Sequence, residues 1–244
     1  MQRWRLTLAR EPVGDLGQRE QLAAWEAMLA ASGLPLAGLD AASPRPRFAL
    51  AAPLAASLPG EAELVDLWLV ERLPVWRVRE ALDGRLPVAY RLVDLFDVWL
   101  GEPALPGQVV ASVYRAELAP GADAARLRAA AASMLAAGTL PRSRRKGESS
   151  VAYDLRPFLD GLDVVTTPGA ETPALRMTLR HDAERGIGRP EEVVGEIGDR
   201  LGTPLAVVRL VRERLVLGAS RPGTPGRSPG TAQAASSAGR RGRR

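Results

Sequence analysis

Read for chemistry, the 244-residue chain offers few groups that could move a proton, hold a metal or attack a bond: it has no cysteine and one histidine, His181. Without thiols it can form no iron–sulfur cluster, zinc ribbon or thiolate nucleophile, since each requires a thiolate. One imidazole does not make a His-rich metal site. His181 ends a predicted strand, and as a general base it would need an orienting carboxylate such as Asp182 or Glu184; the alternative is an ordinary exposed loop histidine. There is no Walker loop and no GxGxxG between a strand and a helix, and "RGIGRP" at 185–190 has the wrong glycine spacing and reads as a turn. No cofactor is expected.

The charged groups are more informative. In "SPRPR", residues 43–47, two prolines bracket Arg45, and Arg47 then leads into an apolar segment, which fixes guanidinium groups at the mouth of a predicted strand. In "RSRRKGE", residues 142–148, Arg142, Arg144, Arg145 and Lys146 are concentrated where they would meet phosphate oxygens or an acidic partner, or would form a solvated hairpin tip. In "AYDLRPFL", residues 152–159, Asp154 and Arg156 fall on one face of an extended strand before Pro157, where they would pair as a structural ion pair or belong to a substrate- or anion-binding site. The five tryptophans mostly fall on predicted buried faces, which favours core packing over a base-stacking platform.

The elements that must position these groups sit in an ordinary globular composition, long enough for one large or two small domains. No apolar run approaches the ~20 residues of a membrane helix, and the N-terminus lacks a signal-peptide core, so a cytoplasmic location is the default expectation. The net charge is +5, but residues 219–244 hold six arginines and no acid; subtracting those six leaves the first 218 residues at −1. That Gly, Pro, Ser, Ala and Arg segment has almost nothing to bury and reads as a disordered basic tail.

Along the body, "RWRLTLA" alternates Trp4, Leu6 and Leu8 with polar residues, as in a strand with one buried face. A helix follows, with Asp15 and Gln18 read as its capping box and Leu22, Trp25, Met28 and Leu29 as its apolar stripe. Short strands are predicted near 34–39 and 47–54, a stronger one at 63–71, a short helix after Pro74 and a strand within "VAYRLVDLFDVWLG". The second half repeats the pattern: a strand in "QVVASVYRAEL", an alanine-rich helix with Asp123 in its first turn and Gly138 as C-cap, strands at 139–145, 150–155 and 174–181, a helix opened by Pro190 and ended by Gly202, and a last strand in "LAVVRLVRERLVL". The expected fold is α+β, two tandem ferredoxin-like (βαββαβ) units with antiparallel sheets at 1–102 and 107–218, followed by the tail at 219–244.

The stretches "RWRLTLAREPVGDLGQREQLAAWEAMLAASGLPL", "SPRPRFALAAPLAASLPGEAELVDLWL" and, after the basic run, "YDLRPFL" occur in an order that resembles the uncharacterised domain accompanying radical SAM proteins, either fused to them or encoded separately. The resemblance covers about residues 3 to 217. In that family the first helix typically begins Ser-His-Leu-Asp and the later motif reads Asn-Pro-His-Pro-Arg. Here Gln18 and Arg45 stand at the two histidine positions, while Glu20 keeps the carboxylate and Arg47 the guanidinium. An arginine stays protonated at any ordinary pH and replaces a histidine neither as base nor as ligand, so the resemblance implies lost proton-transfer or metal chemistry and retained recognition of an anion. That anion would be an RNA phosphate or an internal carboxylate such as Glu20. The implied function is an accessory, substrate-presenting or RNA-binding module that works with a radical SAM protein and is not itself a catalyst. The alternatives are a protein-binding scaffold and a metal-free RNA-processing enzyme using His181.

Overall fold

The computed structural model describes residues 1–14, 16–146, 149–166 and 172–218. The first half comprises β1 (Gln2–Arg10), α1 (Gln18–Ala31), β2 (Phe48–Leu50), β3 (Gly60–Leu69), α2 (Val75–Leu82) and β4 (Tyr90–Val98). The second half comprises α3 (Leu105–Gln108), β5 (Val109–Leu118), α4 (Ala124–Ala136), β6 (Pro141–Lys146), β7 (Ser149–Asp154), β8 (Leu159–Thr166), β9 (Pro173–Asp182), β10 (Gly186–Ile187), α5 (Pro190–Leu201) and β11 (Val207–Leu217). The fold is mixed α+β. Nine strands form one sheet in the order β10-β9-β5-β11-β3-β1-β4, with β2 beside β3 and β8 beside β9.

In the first half the order across the sheet is β2-β3-β1-β4, and in the second it is β8-β9-β5-β11. These neighbours are antiparallel, whereas the junction between halves is parallel, with Arg212 of β11 opposite Gly60 of β3. One apolar core packs Trp4, Leu6, Leu8, Val65, Leu67 and Leu69 against Trp25 and Leu29 of α1 and Val78 and Leu82 of α2. The other packs Tyr114, Ala116, Leu118, Leu175, Met177 and Leu179 against α4 and α5, and Leu54 from the first half inserts into it.

Several expectations are corrected. The segments expected as sheet strands at 139–145 and 150–155 form a separate two-stranded hairpin, β6 with β7. The place beside β9 belongs to β8, which the sequence reading missed. Its apolar alternation is obscured by Asp160, Gly161 and Asp163 and is broken by a register shift between Leu159 and Gly161. No strand forms over 34–39; only Leu36 bridges to Leu69. β1 is buried on both faces, not one, because Arg3 and Arg5 are enclosed as well. Trp4, Trp25 and Trp68 are buried, but Trp76 and Trp99 are exposed.

The helix ends show how local chemistry was redistributed. Asp123 is the N-cap of α4, and its Oδ1 accepts from the N–H groups of Ala125 and Arg126 at 2.8 and 3.2 Å. The C-cap is Ala137, not Gly138. Gly202 ends α5 in the left-handed region at φ 71°, as the sequence predicted. Asp15, expected to cap α1, lies outside the described residues; Gly17 is the N-cap, and its N–H donates to Glu20 Oε2 at 2.7 Å.

Candidate functional site

The residues singled out in the sequence do not converge on one spot. Gln18, at the start of α1, lines one cavity with Glu63 and Leu64 of β3, while Glu20 is engaged in closing its own helix. Arg47 lies at the other end of β3, where its guanidinium carbon is 4.7 Å from the centroid of the Trp68 ring. Five residues separate Glu63 from Trp68 in an extended strand, roughly 17 Å of chain. Of the two anions expected there, the internal one, Glu20, is therefore not paired with Arg45 or Arg47, and within the fold Arg47 rests on an aromatic face.

The turn that carries Arg45 is set by backbone contacts. Arg45 N–H donates to Gly38 O at 3.0 Å and Arg47 N–H to Ala37 O at 2.7 Å, while Trp68 N–H reaches Arg47 O at 3.2 Å. Gly38, at φ 90°, is required here, because a Cβ at that position would stand 2.3 Å from Arg45 O. Arg45 itself projects as an exposed residue.

Asp154 and Arg156 prove structural, but through backbone groups and not through the ion pair expected. Asp154 Oδ1 accepts from the N–H groups of Leu140 and Arg156 at 2.7 and 2.9 Å. Arg156, placed in a short 3-10 turn, sends its guanidinium to the carbonyls of Leu135, Ala137 and Leu159 at 3.0, 3.1 and 2.8 Å. It thereby satisfies carbonyls left open at the end of α4, the task assigned in the sequence to Gly138. The backbone of Arg144, Arg145 and Lys146 completes the hairpin opposite Val151, Ser150 and Ser149; the side chains of these three basic residues and the segment 219–244 lie outside the described residues.

His181 Nε2 is 2.8 Å from Ser112 Oγ, which is fully buried on β5. Burial and then the nearby Arg212 charge push the imidazole down to about 4. Neither proposed orienting carboxylate serves it in the way expected: Asp182 accepts from the backbone N–H groups of Glu184 and Arg185 at 2.9 and 2.8 Å, closing a turn. Among the described residues no group of three or more His, Asp or Glu side chains is arranged to hold a metal.

Sequence reasoning missed a set of buried charges. Arg3 is 1% exposed and Asp66 0%. Asp66 accepts from Arg3 Nε at 2.9 Å and from Arg5 Nε at 2.8 Å, while Arg3 also reaches the carbonyls of Glu102 and Pro103 and so ties the inter-half linker to β1. The available signal was a carboxylate inside the otherwise apolar "ELVDLWL" facing two arginines at alternate positions of β1. Arg212 pairs with Glu63 across the β11–β3 junction and donates to Pro53 O and Ala52 O at 2.9 and 3.1 Å. Elsewhere on the sheet, Glu213 joins Arg115 of β5 to Arg176 of β9.

These contacts hold the β2–β3 connection against the second half and leave a cleft of about 770 Å³ between them. One wall is Pro53, Leu54, Ala55 and Leu58; the other is Tyr114, Arg142 and the stretch from Gly186 to Glu192. Arg142 is anchored on α5 by Glu192, Glu196 and Asp199. A family model described as an uncharacterized protein conserved in bacteria, DUF2344, matches residues 11–190. The chain belongs to this family. The DUF2344 match crosses both halves and contains every residue of the two cleft walls up to Pro190, the first residue of α5. No curated protein matches the chain.

Proposed function

We propose that this DUF2344 protein is an accessory, substrate-presenting module for a separate enzyme, and that its substrate lies in the cleft between the halves. The cleft carries the reading: both halves build it, and it combines apolar Leu54, Leu58 and Ile187 with polar Arg142, Arg189 and Glu191. Ligand sites favour such junctions between units. Its ionisable lining groups are Tyr114, two arginines and two glutamates, while the one histidine is held neutral against buried Ser112. That arrangement favours binding over proton transfer.

The enzyme served is a radical SAM protein, as the three ordered sequence motifs imply. The strand order repeated in each half supports reading the scaffold as two ferredoxin-like units, and by fold analogy alone such pairs suit RNA handling. The basic hairpin and the arginines of 219–244 supply the phosphate contacts in that reading. A protein-docking alternative rests on Trp99, 75% exposed beyond the edge strand β4, with Phe96 and Leu100 also exposed.

Capture from the native cell by the tagged full chain, with and without nuclease, tests the reading. A radical SAM protein should be recovered in both arms. An Ala55→Trp or Arg189→Glu variant should keep the complex but lower that enzyme's turnover. Capture of no radical SAM protein, or full turnover with the cleft filled, discards the proposal. If about four arginines of the tail contact single-stranded phosphates, RNA affinity falls roughly 50-fold between 50 and 200 mM salt. RNA affinity indifferent to salt, or absent both in the full chain and in the chain cut after Gly218, removes RNA as the substrate.

A further inference from the structure

A second, smaller cavity of about 230 Å³ lies where the start of α1 meets the β2–β3 connection. Leu22, Leu50, Leu54, Leu64 and Val65 give it apolar walls, and Arg10, the last residue of β1, supplies a cationic group. Arg10 is 2% exposed. Its terminal nitrogens donate to the carbonyls of Leu54, Ala55 and Leu58 and to Gln21 Oε1. Its Nε has no acceptor.

The contrast with the other buried arginines is chemical. Arg3 and Arg5 share Asp66, and Arg212 has Glu63. Arg10 has no carboxylate within ion-pair distance among the described residues, and the cavity's own Glu63 directs both oxygens to Arg212. A buried cation held by neutral carbonyls, with one N–H left over, is under-satisfied twice: in charge and in hydrogen bonding. An anion in the cavity would supply the missing charge.

We propose that this cavity binds a small carboxylic acid with an apolar body, its carboxylate drawn to the Arg10 guanidinium and its body against the leucines. At the ~30 Å³ that a water occupies in the liquid, the cavity equals about eight waters, which suits a ligand of about ten non-hydrogen atoms. A single negative charge matches a single guanidinium. A phosphate dianion would bring a second charge close to Glu63 and find too few donors. Gln18, which stands at a family histidine position, lines the same cavity with an amide able to donate to the second carboxylate oxygen. The site is independent of the proposed role of the larger cleft, although Pro53 and Leu54 line both.

The test is calorimetric titration of the full chain with hexanoate, hexanamide and inorganic phosphate, alongside NMR of the arginine Nε–H groups. Hexanoate should bind and shift the Nε–H signal assigned to Arg10, and hexanamide should bind at least about tenfold more weakly. Arg10→Lys should abolish the preference for the acid. Because Arg10 also holds three carbonyls, Leu22→Trp provides the second variant: Leu22 is 42% exposed, and an indole there fills the cavity while leaving Arg10 in place. Loss of hexanoate binding in Leu22→Trp supports the site. No hexanoate binding, equal binding of the amide or of phosphate, or unchanged binding in Leu22→Trp would overturn it.

Discussion

Arg47 stands over the ring of Trp68, its guanidinium carbon 4.7 Å from the ring centroid, and Arg3 approaches the same ring at 5.0 Å. The electron-rich face of the indole thus attracts the Arg47 guanidinium within the fold, where an internal carboxylate was one of the two expected partners. Arg47→Ala should cost about 0.5 to 1 kcal/mol, the range for an exposed cation–π pair. Urea denaturation checks this, and Arg45→Ala, at an exposed position without such a ring, should be near neutral.

Asp66 is the shared anion of two buried arginines. Asp66→Asn leaves Arg3 enclosed without a formal countercharge and Arg5 with only Glu102 at 3.9 Å, and should destabilise the fold by about 3 to 5 kcal/mol. Chemical denaturation gives the magnitude. A change under 1 kcal/mol would mean that water reaches the site when the carboxylate is lost.

Arg156→Met should remove two hydrogen bonds from carbonyls at the end of α4 and one from Leu159 O, and cost about 2 to 3 kcal/mol, in line with bonds to a charged group. Hydrogen exchange localises the effect: amides in the last turn of α4 should exchange faster, with β1 and β3 unchanged.

His181 makes stability depend on pH. Its pKa falls from the usual 6.5 to about 4 in the fold, through burial first and the Arg212 charge second. Between these values the unfolded chain binds the proton and the native chain does not, so acid favours unfolding. The contribution is fully present above pH 6.5, is lost as pH falls toward 4, and reaches at most about a tenfold change in the folding constant per pH unit. Being the one histidine in the chain, His181 can be titrated directly by proton NMR, and His181→Gln should flatten the dependence in that window.

Much of the fold was legible because it is written locally. Period-2 alternation marks β1, Pro190 and Gly202 bracket α5, and Asp123 announces α4, since caps and pleats depend on neighbours a few residues away. β8 was not legible: Gly161 and its bulge scramble the alternation, and only the pairing with β9 gives Leu159 and Leu162 a buried face. The β6–β7 hairpin shows the converse, since strand-forming residues alone do not say which sheet a strand will join.

The α+β class, most element positions, the exclusion of thiol chemistry and the confinement of excess positive charge to the last 26 residues all follow from composition and short-range pattern. What the charged side chains meet is settled only by packing in three dimensions. Arg3 and Arg5 read as solvent-facing in the strand pattern and are enclosed on Asp66; Arg156 reads as an ion-pair partner and closes a helix; Arg10, just past the predicted strand, is buried beside a cavity. Burial and partner choice depend on elements that pack from tens of residues away, and those distances are set only when the chain closes on itself.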